Sequence, residues 1–523
     1  MSSSPATPFF RLGKEQDMAT TGIDLGNFKT SIAFQHKGLE SRAFFVSVFA
    51  SRLDHEDVNL LRSRVESRKR LAELYDRCER APRDEHLQGL LATYVNGMRF
   101  PHWFLPNITA FTDELIEEGG LHFGESVWHH LTRIGGQKAR AAIQRLKAPL
   151  GGRDILGLEY TYFDEANDRI DPGQAESFLE DYRCARTVLK WARERFVSMA
   201  KLTPMDRQTA VMGVPPGAPP LVKATMFMLG LDAGFDAVVL RAEPELVARS
   251  LMLPSDKPCL VIDIGAGTTD VCVFIPVSGA TALDPKLQVT IPAASFAIDR
   301  KIEDLIRAEI ETKHPRGSKF YWPQLPQEHI SYWKESCTQP EWERLKSTKD
   351  HHDTFLYEYK ADEKIKFFDV SAVLNQDIVL RAFEEVLGEE IQKNVKAALD
   401  PQGKQTDTER LLAIHSGPAC QRTVVAGGGS QIPQVRDLVC SILGRDHRVR
   451  VVPDHLNSVA DGARFFARSL WDEDWKAIAA EQREWVRKHR IDKPEDLESW
   501  YHAWRERMQD ANLRERLRYN MNY

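Results

Sequence analysis

One short pattern occurs twice in this chain and restricts its fold more than any other feature. Ile23-Asp24-Leu25-Gly26 opens the stretch GIDLGNFKTSIAF, and Ile262-Asp263-Ile264-Gly265 opens VIDIGAGTTDVCVF. Each reads as a short apolar strand, an aspartate, a glycine turn and a second, alternating strand. A repeated strand–turn–strand unit predicts two similar lobes, each offering an acid and a glycine turn to one shared ligand. A nucleotide phosphate with its metal ion suits that pair of turns.

The size of the chain leaves room for this arrangement. Its 523 residues accommodate one large two-lobed enzyme or three ordinary domains. With 42% hydrophobic and 28% charged residues, the composition is globular rather than disordered. A net charge of -6 gives no reason to expect nucleic acid as a partner. The seven cysteines are scattered without a CxxC pair, which predicts neither a disulfide framework nor a zinc site. No apolar run approaches the ~20 residues of a membrane span. The first residues, MSSSPATPFFRLGKEQDM, lack a long apolar signal core. A cytoplasmic protein is therefore expected.

Along the chain, residues 1–17 read as a disordered tail and 18–257 as lobe I, with a large inserted subdomain over about 50–200. A basic helical stretch over about 52–90 reads as the wet face of that insertion or as a contact for an anionic partner. Residues 174–201 read as a helix. Strand TAVMGV (209–214), a helix through Val222 to Leu231 stopped by Gly234, and strand AVVLR (237–241) then form a clear α/β unit. Lobe II covers 258–452 and holds a long helix near 375–399. Residues 453–470 read as a closing helix returning to lobe I, and 471–523 as a C-terminal helical extension. Within that extension Trp471, Trp475, Trp485, Trp500 and Trp504 either anchor a partner or pack back onto the protein. His129-His130 and His351-His352 read as solvent-exposed pairs.

Three loops carry candidate chemistry. In the first, Asp24 ends an apolar strand and can face a metal-bound water, since Mg²⁺ keeps several waters and takes few direct protein ligands. Gly26 lets backbone N–H groups approach phosphate oxygens, and Asn27, Lys29 and Thr30 add donors. The second packs Asp263, Gly265, Ala266, Gly267, Thr268, Thr269 and Asp270 into one hairpin. A purely structural hairpin needs only two turn residues, so this loop is overbuilt for folding alone. In the third, VVAGGGSQIPQVRDLVCSIL, an apolar strand runs into Gly427-Gly428-Gly429 and Ser430 before a helix. Such a turn lets a flat base or a phosphate lie against the main chain, near the positive end of that helix. No GxGxxG and no GxxxxGK[ST] occurs, which sets aside the dinucleotide fingerprint and the P-loop.

Taken in order, these loops resemble the two phosphate motifs and the adenosine motif of the actin and heat-shock-70 chaperone ATPase superfamily. Within it, VMGVPPGAPPLVKATMFMLG, LRAEPELVARSL, LVIDIGAGTTDVCVF, VTIPAASFAIDRKIEDLI and VVAGGGSQIPQV are most similar to bacterial actins of the MamK, magnetosome-filament type. The resemblance covers about half the chain. It implies a two-lobed α/β fold of duplicated ribonuclease-H-like lobes around a nucleotide cleft, with ATP or ADP and Mg²⁺ as ligands. Asp24, Asp263 and Asp270 would then hold the hydrated metal, with Asp263 also catalytic. Glu243, in a Glu-Pro signature, would polarise the attacking water. Gly265, Gly267 and Thr268 would wrap the β- and γ-phosphates, and Gly427, Gly428 and Gly429 would flank the adenosine. Lys334, in YWKES, is similar to a ribose-contacting lysine; a solvated surface lysine is the plain alternative. Two departures stand out: Asn27-Phe28 replaces small hydroxyl residues, and Ser295 replaces a glycine before Asp299.

The resemblance implies an ATPase whose nucleotide state controls self-assembly into filaments or the binding of an unidentified protein partner. The alternative is a chaperone-like ATPase, although the stretch after 470 is too short and too helical for a β-sandwich peptide-binding domain. A metabolic kinase and a non-hydrolysing sensor rank behind these two.

Overall fold

The computed structural model describes residues 19–26, 29–37, 39–46, 77, 86, 116–118, 121–123, 163–164, 169–170, 172–203, 206–216, 218, 220–251, 259–277, 280–291, 293–323, 325, 327–338, 342–346, 355–393, 423–431, 435–443, 449–452, 458–469, 472–489 and a few single positions to 506. The tail 1–17, the basic stretch 52–90 apart from two positions, Asn27, both histidine pairs, and the side chains of Lys29, Trp471, Trp475, Trp500 and Trp504 lie outside the described residues.

Strands β1 (Ala19–Leu25), β2 (Lys29–His36) and β3 (Leu39–Val46) open the fold. Two small hairpins follow: β4 (Ile116–Glu118) with β5 (Leu121–Phe123), and β6 (Phe163–Asp164) with β7 (Arg169–Ile170). Next come α1 (Pro172–Ala200), β8 (Gln208–Val214), α2 (Pro220–Asp232), β9 (Ala237–Ala242) and α3 (Glu243–Ser250). These are the elements read from hydrophobic spacing, and Gly234 adopts φ +95° where α2 stops. The second hairpin supplies β10 (Cys259–Ile264) and β11 (Thr269–Val277), followed by β12 (Ala280–Ile291) and α4 (Ser295–Thr312). Then follow β13 (Phe320–Tyr321), α5 (Gln327–Thr338), α6 (Trp342–Leu345), β14 (Leu356–Ala361), β15 (Lys364–Asp369) and α7 (Gln376–Phe383). The chain continues through β16 (Thr423–Ala426), α8 (Val435–Leu443), β17 (Val449–Val451), α9 (Ser458–Ser469) and α10 (Asp472–Lys488).

Two five-stranded sheets result, with orders β3-β2-β1-β8-β9 and β12-β11-β10-β16-β17. Their topologies correspond position by position. In each, the first strand pairs antiparallel with its hairpin partner and parallel with the strand that follows a long excursion. A further parallel strand then extends each sheet. The fold is thus α/β with mixed sheets, and the repeated hairpin marks the same place in both. Fully buried runs such as CLVIDI in β10 and QTAVMGV in β8 suit strands covered on both faces.

The described residues form two compact units, one from Met1–Arg42, Arg145–Ala297 and Phe383–Tyr523, the other from Ala43–Gln144 and Ile298–Ala382. Both five-stranded sheets belong to the first, apart from the end of β3. A single apolar cluster joins them there: Val211 and Val239 from one sheet, Val261, Cys272 and Val424 from the other, and Val459, Ala463 and Phe466 of α9. Helix α9 lies so close to β1 that a Cβ on Gly22 would sit 1.9 Å from the Ala460 carbonyl oxygen. Helix α10 closes the edge strand β9. The buried amide of Gln482 accepts from the Val238 N–H at 2.8 Å and donates to the Val238 carbonyl at 2.7 Å, as a paired strand would. Trp485 packs edge-on against Phe227 with ring centroids 5.9 Å apart. The second unit holds a three-stranded sheet, β13-β14-β15.

Candidate functional site

The acids of interest lie at or just beyond the carboxyl ends of the central parallel strands, where open α/β sheets bind ligands. Asp24 is next to last in β1, paired with Ser31 of β2. In β8 and β9, Val214 pairs with Ala242, and Glu243 follows at once as the first residue of α3. Glu243 is buried, and a Cβ on Gly213 would lie 3.1 Å from its Cγ. Helix α3 packs against β10 and β11 of the second sheet, so Glu243 opens an element shared by both sheets.

In the second sheet the register sets Asp263 opposite Asp270 and alongside Ala426. Both carboxylates are buried. Directly opposed like charges are destabilising in an antiparallel pair, so their placement needs compensation. Thr290 supplies part of it, donating from Oγ1 to Asp270 Oδ1 at 2.6 Å. Burial, and then the charges of Asp270 and Asp263, push the Cys272 thiol well above its usual range.

Between these strands, the Gly265 N–H donates to the Thr268 carbonyl at 2.9 Å and closes the turn. The Gly265 and Ala266 carbonyls accept from the Ser295 and Phe296 N–H groups at the start of α4, at 3.2 and 2.9 Å. Two carbonyls are thereby committed to the helix. The N–H groups of Ala266, Gly267 and Thr268 carry no protein partner among the described residues, leaving three successive donors on a partly exposed loop. Thr269 is used differently, since its Oγ1 donates to the Ala293 carbonyl at 2.8 Å and braces the loop.

The third loop joins the second. Gly427 has φ +79°, and a Cβ there would lie 2.5 Å from Asp263 Oδ1 and 2.3 Å from the Ile264 carbonyl oxygen. Gly429 abuts the Ile264 side chain, and Gly428 is exposed with nothing within 4 Å of a Cβ. Ser430 caps the turn, donating from Oγ to the Gly427 carbonyl at 2.8 Å.

Asp263, Asp270, Gly265–Thr269 and Gly427–Ser430 therefore gather at one end of the second sheet, while Asp24, Gly26 and Glu243 sit at the ends of strands in the first. Among the described residues no group of three or more His, Cys, Asp or Glu side chains converges to hold a metal. Lys334 lies in the other compact unit and is not a solvated lysine. Its Nζ is 2.5 Å from Oδ1 of the fully buried Asp299, whose Oδ2 accepts from Ser331. Thr290, Gly213 and the α4 N–H donors are contributors that local patterns do not flag, because each acts from a strand or helix end distant in sequence.

No family model matches the chain. Over 167 residues it is 33% identical to the actin-like protein MamK of Paramagnetospirillum magneticum strain AMB-1, covering 30% of this chain and 44% of that protein. It is 29% identical to MamK of Magnetospirillum gryphiswaldense, covering 30% of this chain and 43% of that one. The chain thus spans less than half the length of the curated relatives it matches. Among solved structures it aligns with a MamK double helical filament at 19% identity and TM-score 0.49, covering 87% of this chain and all of that one. With MreB5 of Spiroplasma citri bound to ADP, identity is 13% and TM-score 0.44, covering 86% and 97% of the two chains. The resemblance is to the actin-like ATPase superfamily, of the MamK type.

Proposed function

We propose that this chain is an actin-like ATPase in which two related lobes, each built on a ribonuclease-H-like sheet, close on Mg-ATP and couple nucleotide state to self-assembly. The observation that carries the reading is the meeting of two opposed buried carboxylates, three loop N–H groups without a protein partner among the described residues and a glycine-lined turn at one end of the second sheet.

In this reading the Ala266, Gly267 and Thr268 N–H groups donate to phosphate oxygens. The exposed Gly428 offers main chain to the flat nucleoside. Asp263 and Asp270, with Asp24 from the first sheet, would hold a hydrated cation, since Mg²⁺ in nucleotide sites keeps several of its waters and takes few direct protein ligands. Bound Mg²⁺ would supply charge neutralisation for in-line phosphoryl transfer. Glu243, at the start of the helix that reaches both sheets, orients the attacking water and accepts its proton. Lys334 is left out of this assembly, because Asp299 engages its charge.

The chaperone alternative gains no support from the segment after residue 470, whose described part is helix α10 packed on β9 rather than a β-domain. Phosphate release from the purified full chain, with labelled-nucleotide binding measured alongside, tests the proposal. Asp263→Asn is expected to lower turnover by roughly a hundredfold or more, and Glu243→Gln to do so while nucleotide binding persists. Unchanged turnover in both variants would remove these carboxylates from the reaction.

A further inference from the structure

The sheet β13-β14-β15 has two unlike faces. Its inner face is fully engaged: Arg307 donates from Nε to the Tyr357 hydroxyl at 2.9 Å, the His314 ring lies 2.9 Å from the Tyr359 hydroxyl, and Phe320, Trp322 and Tyr359 stack. On its outer face the register aligns Tyr321, Lys360 and Ile365 in one rung, Glu358 and Phe367 in the next, and Leu356 with Asp369 in a third. A solvent-facing sheet surface is ordinarily polar. Here Tyr321, Ile365 and Phe367 are 59, 56 and 62% exposed, and Leu356 is 38% exposed. Only one other large hydrophobic side chain stands exposed among the described residues, Met199, so the apolar exposure is concentrated on this face. Glu358 and Lys360 are exposed beside it, and neither has an ion-pair partner among the described residues.

We infer that this outer face is a two-fold contact with a second copy of the same chain. The charge pattern selects that occupant. Consider two such faces related by a two-fold axis that lies between them, perpendicular to the strands and midway between the Glu358 and Lys360 rungs. Glu358 then stands over Lys360 of the second copy and Phe367 over Ile365 of the second copy, and symmetry repeats both contacts. Moving the axis onto either rung sets Glu358 against itself or Lys360 against itself. One alignment of the face with itself therefore satisfies both charge and apolar matching. The edge of the sheet is a poorer route, because Lys364 and Lys366 on β15 discourage strand addition.

A face of this size falls short of the roughly 20–30 residues a side of a stable stand-alone interface. It suits a weak, reversible contact that forms at high concentration and is strengthened when copies are linked along a polymer. The inference rests on the self-assembly part of the proposed function and needs no nucleotide chemistry.

Sedimentation of the full-length protein over a concentration series tests it, with nucleotide binding and thermal melting measured on the same samples. The wild type is expected to associate reversibly. Glu358→Lys and Lys360→Glu each oppose like charges at two symmetric positions, and each should weaken association by about tenfold or more. The double variant Glu358→Lys/Lys360→Glu restores both pairs and should return to within about threefold of the wild type, as directly coupled charges do. Phe367→Ser should weaken association without lowering the melting temperature. No association by the wild type, no effect of the single reversals, or no recovery in the double variant would each overturn the inference. Loss of nucleotide binding with intact charge-swap behaviour would instead overturn the functional reading and leave this one standing.

Discussion

At Gly427 two constraints coincide: a left-handed backbone conformation, and main chain lying directly against the Asp263 carboxylate. A side chain there meets the conformational penalty, on the order of 1–3 kcal/mol, and must also displace either Asp263 or the end of β10. Gly427→Ala is accordingly expected to lower both the melting temperature and nucleotide affinity. Gly428→Ala, at a position with open space, should leave the melting temperature within about a degree or two of the wild type. Equal losses in the two variants would show that the loop tolerates no side chain anywhere, rather than being shaped against Asp263. This residue-level logic was partly legible in the sequence. A run of glycines between an apolar strand and a helix announces a close approach, but which glycine touches the acid depends on the parallel pairing of β10 with β16, across a long excursion. Lys334 shows the opposite case. Its surroundings in YWKES give no hint of Asp299, which reaches it from helix α4.

Among the elements, helices α1 and α2 are joined by a partly buried hydrogen bond with a predictable pH signature. The Tyr182 hydroxyl donates to Asp232 Oδ2 at 2.6 Å, and burial, followed by the Asp232 charge, holds the phenol well above its ordinary value. In the unfolded chain a tyrosine titrates near pH 10. Above that pH the folded state keeps a proton that the unfolded state has lost, so native stability falls as pH rises further. Below it the contribution is complete. Denaturant titrations are expected to show wild-type stability declining more steeply above about pH 10 than that of Tyr182→Phe, which starts about 1 kcal/mol lower at neutral pH. Parallel declines would show that the phenol does not carry the effect. The helices and strands of this region follow their hydrophobic spacing closely, whereas helix α10 does not announce its role. Charged residues and tryptophans between 471 and 489 read as an appended extension, yet Ile478, Ala479, Gln482 and Trp485 all turn inward. A glutamine that completes a sheet edge leaves no periodic trace, because the strand it serves lies in the other half of the chain.

For the molecule as a whole, the decisive feature is that two sheets of matching topology share one apolar cluster in the first compact unit. Separate cores would let each sheet lose structure alone; a common core ties their stability together. Phe466 occupies the junction. Its side chain is buried in the cluster, and the guanidinium groups of Arg241 and Arg249 lie 4.2 and 4.8 Å from its ring centroid. Phe466→Ala removes a large buried ring from a site that backbone contacts keep from collapsing, since α9 is pressed against β1 at Gly22 and against α3 at Gly462. A cost of about 3–5 kcal/mol is expected. The informative readout is where that cost appears. Amide hydrogen exchange in β1 and β8 of the first sheet should accelerate together with exchange in β10 and β16 of the second, by similar factors. If protection falls only in the first sheet, the two sheets are energetically separate despite their common cluster.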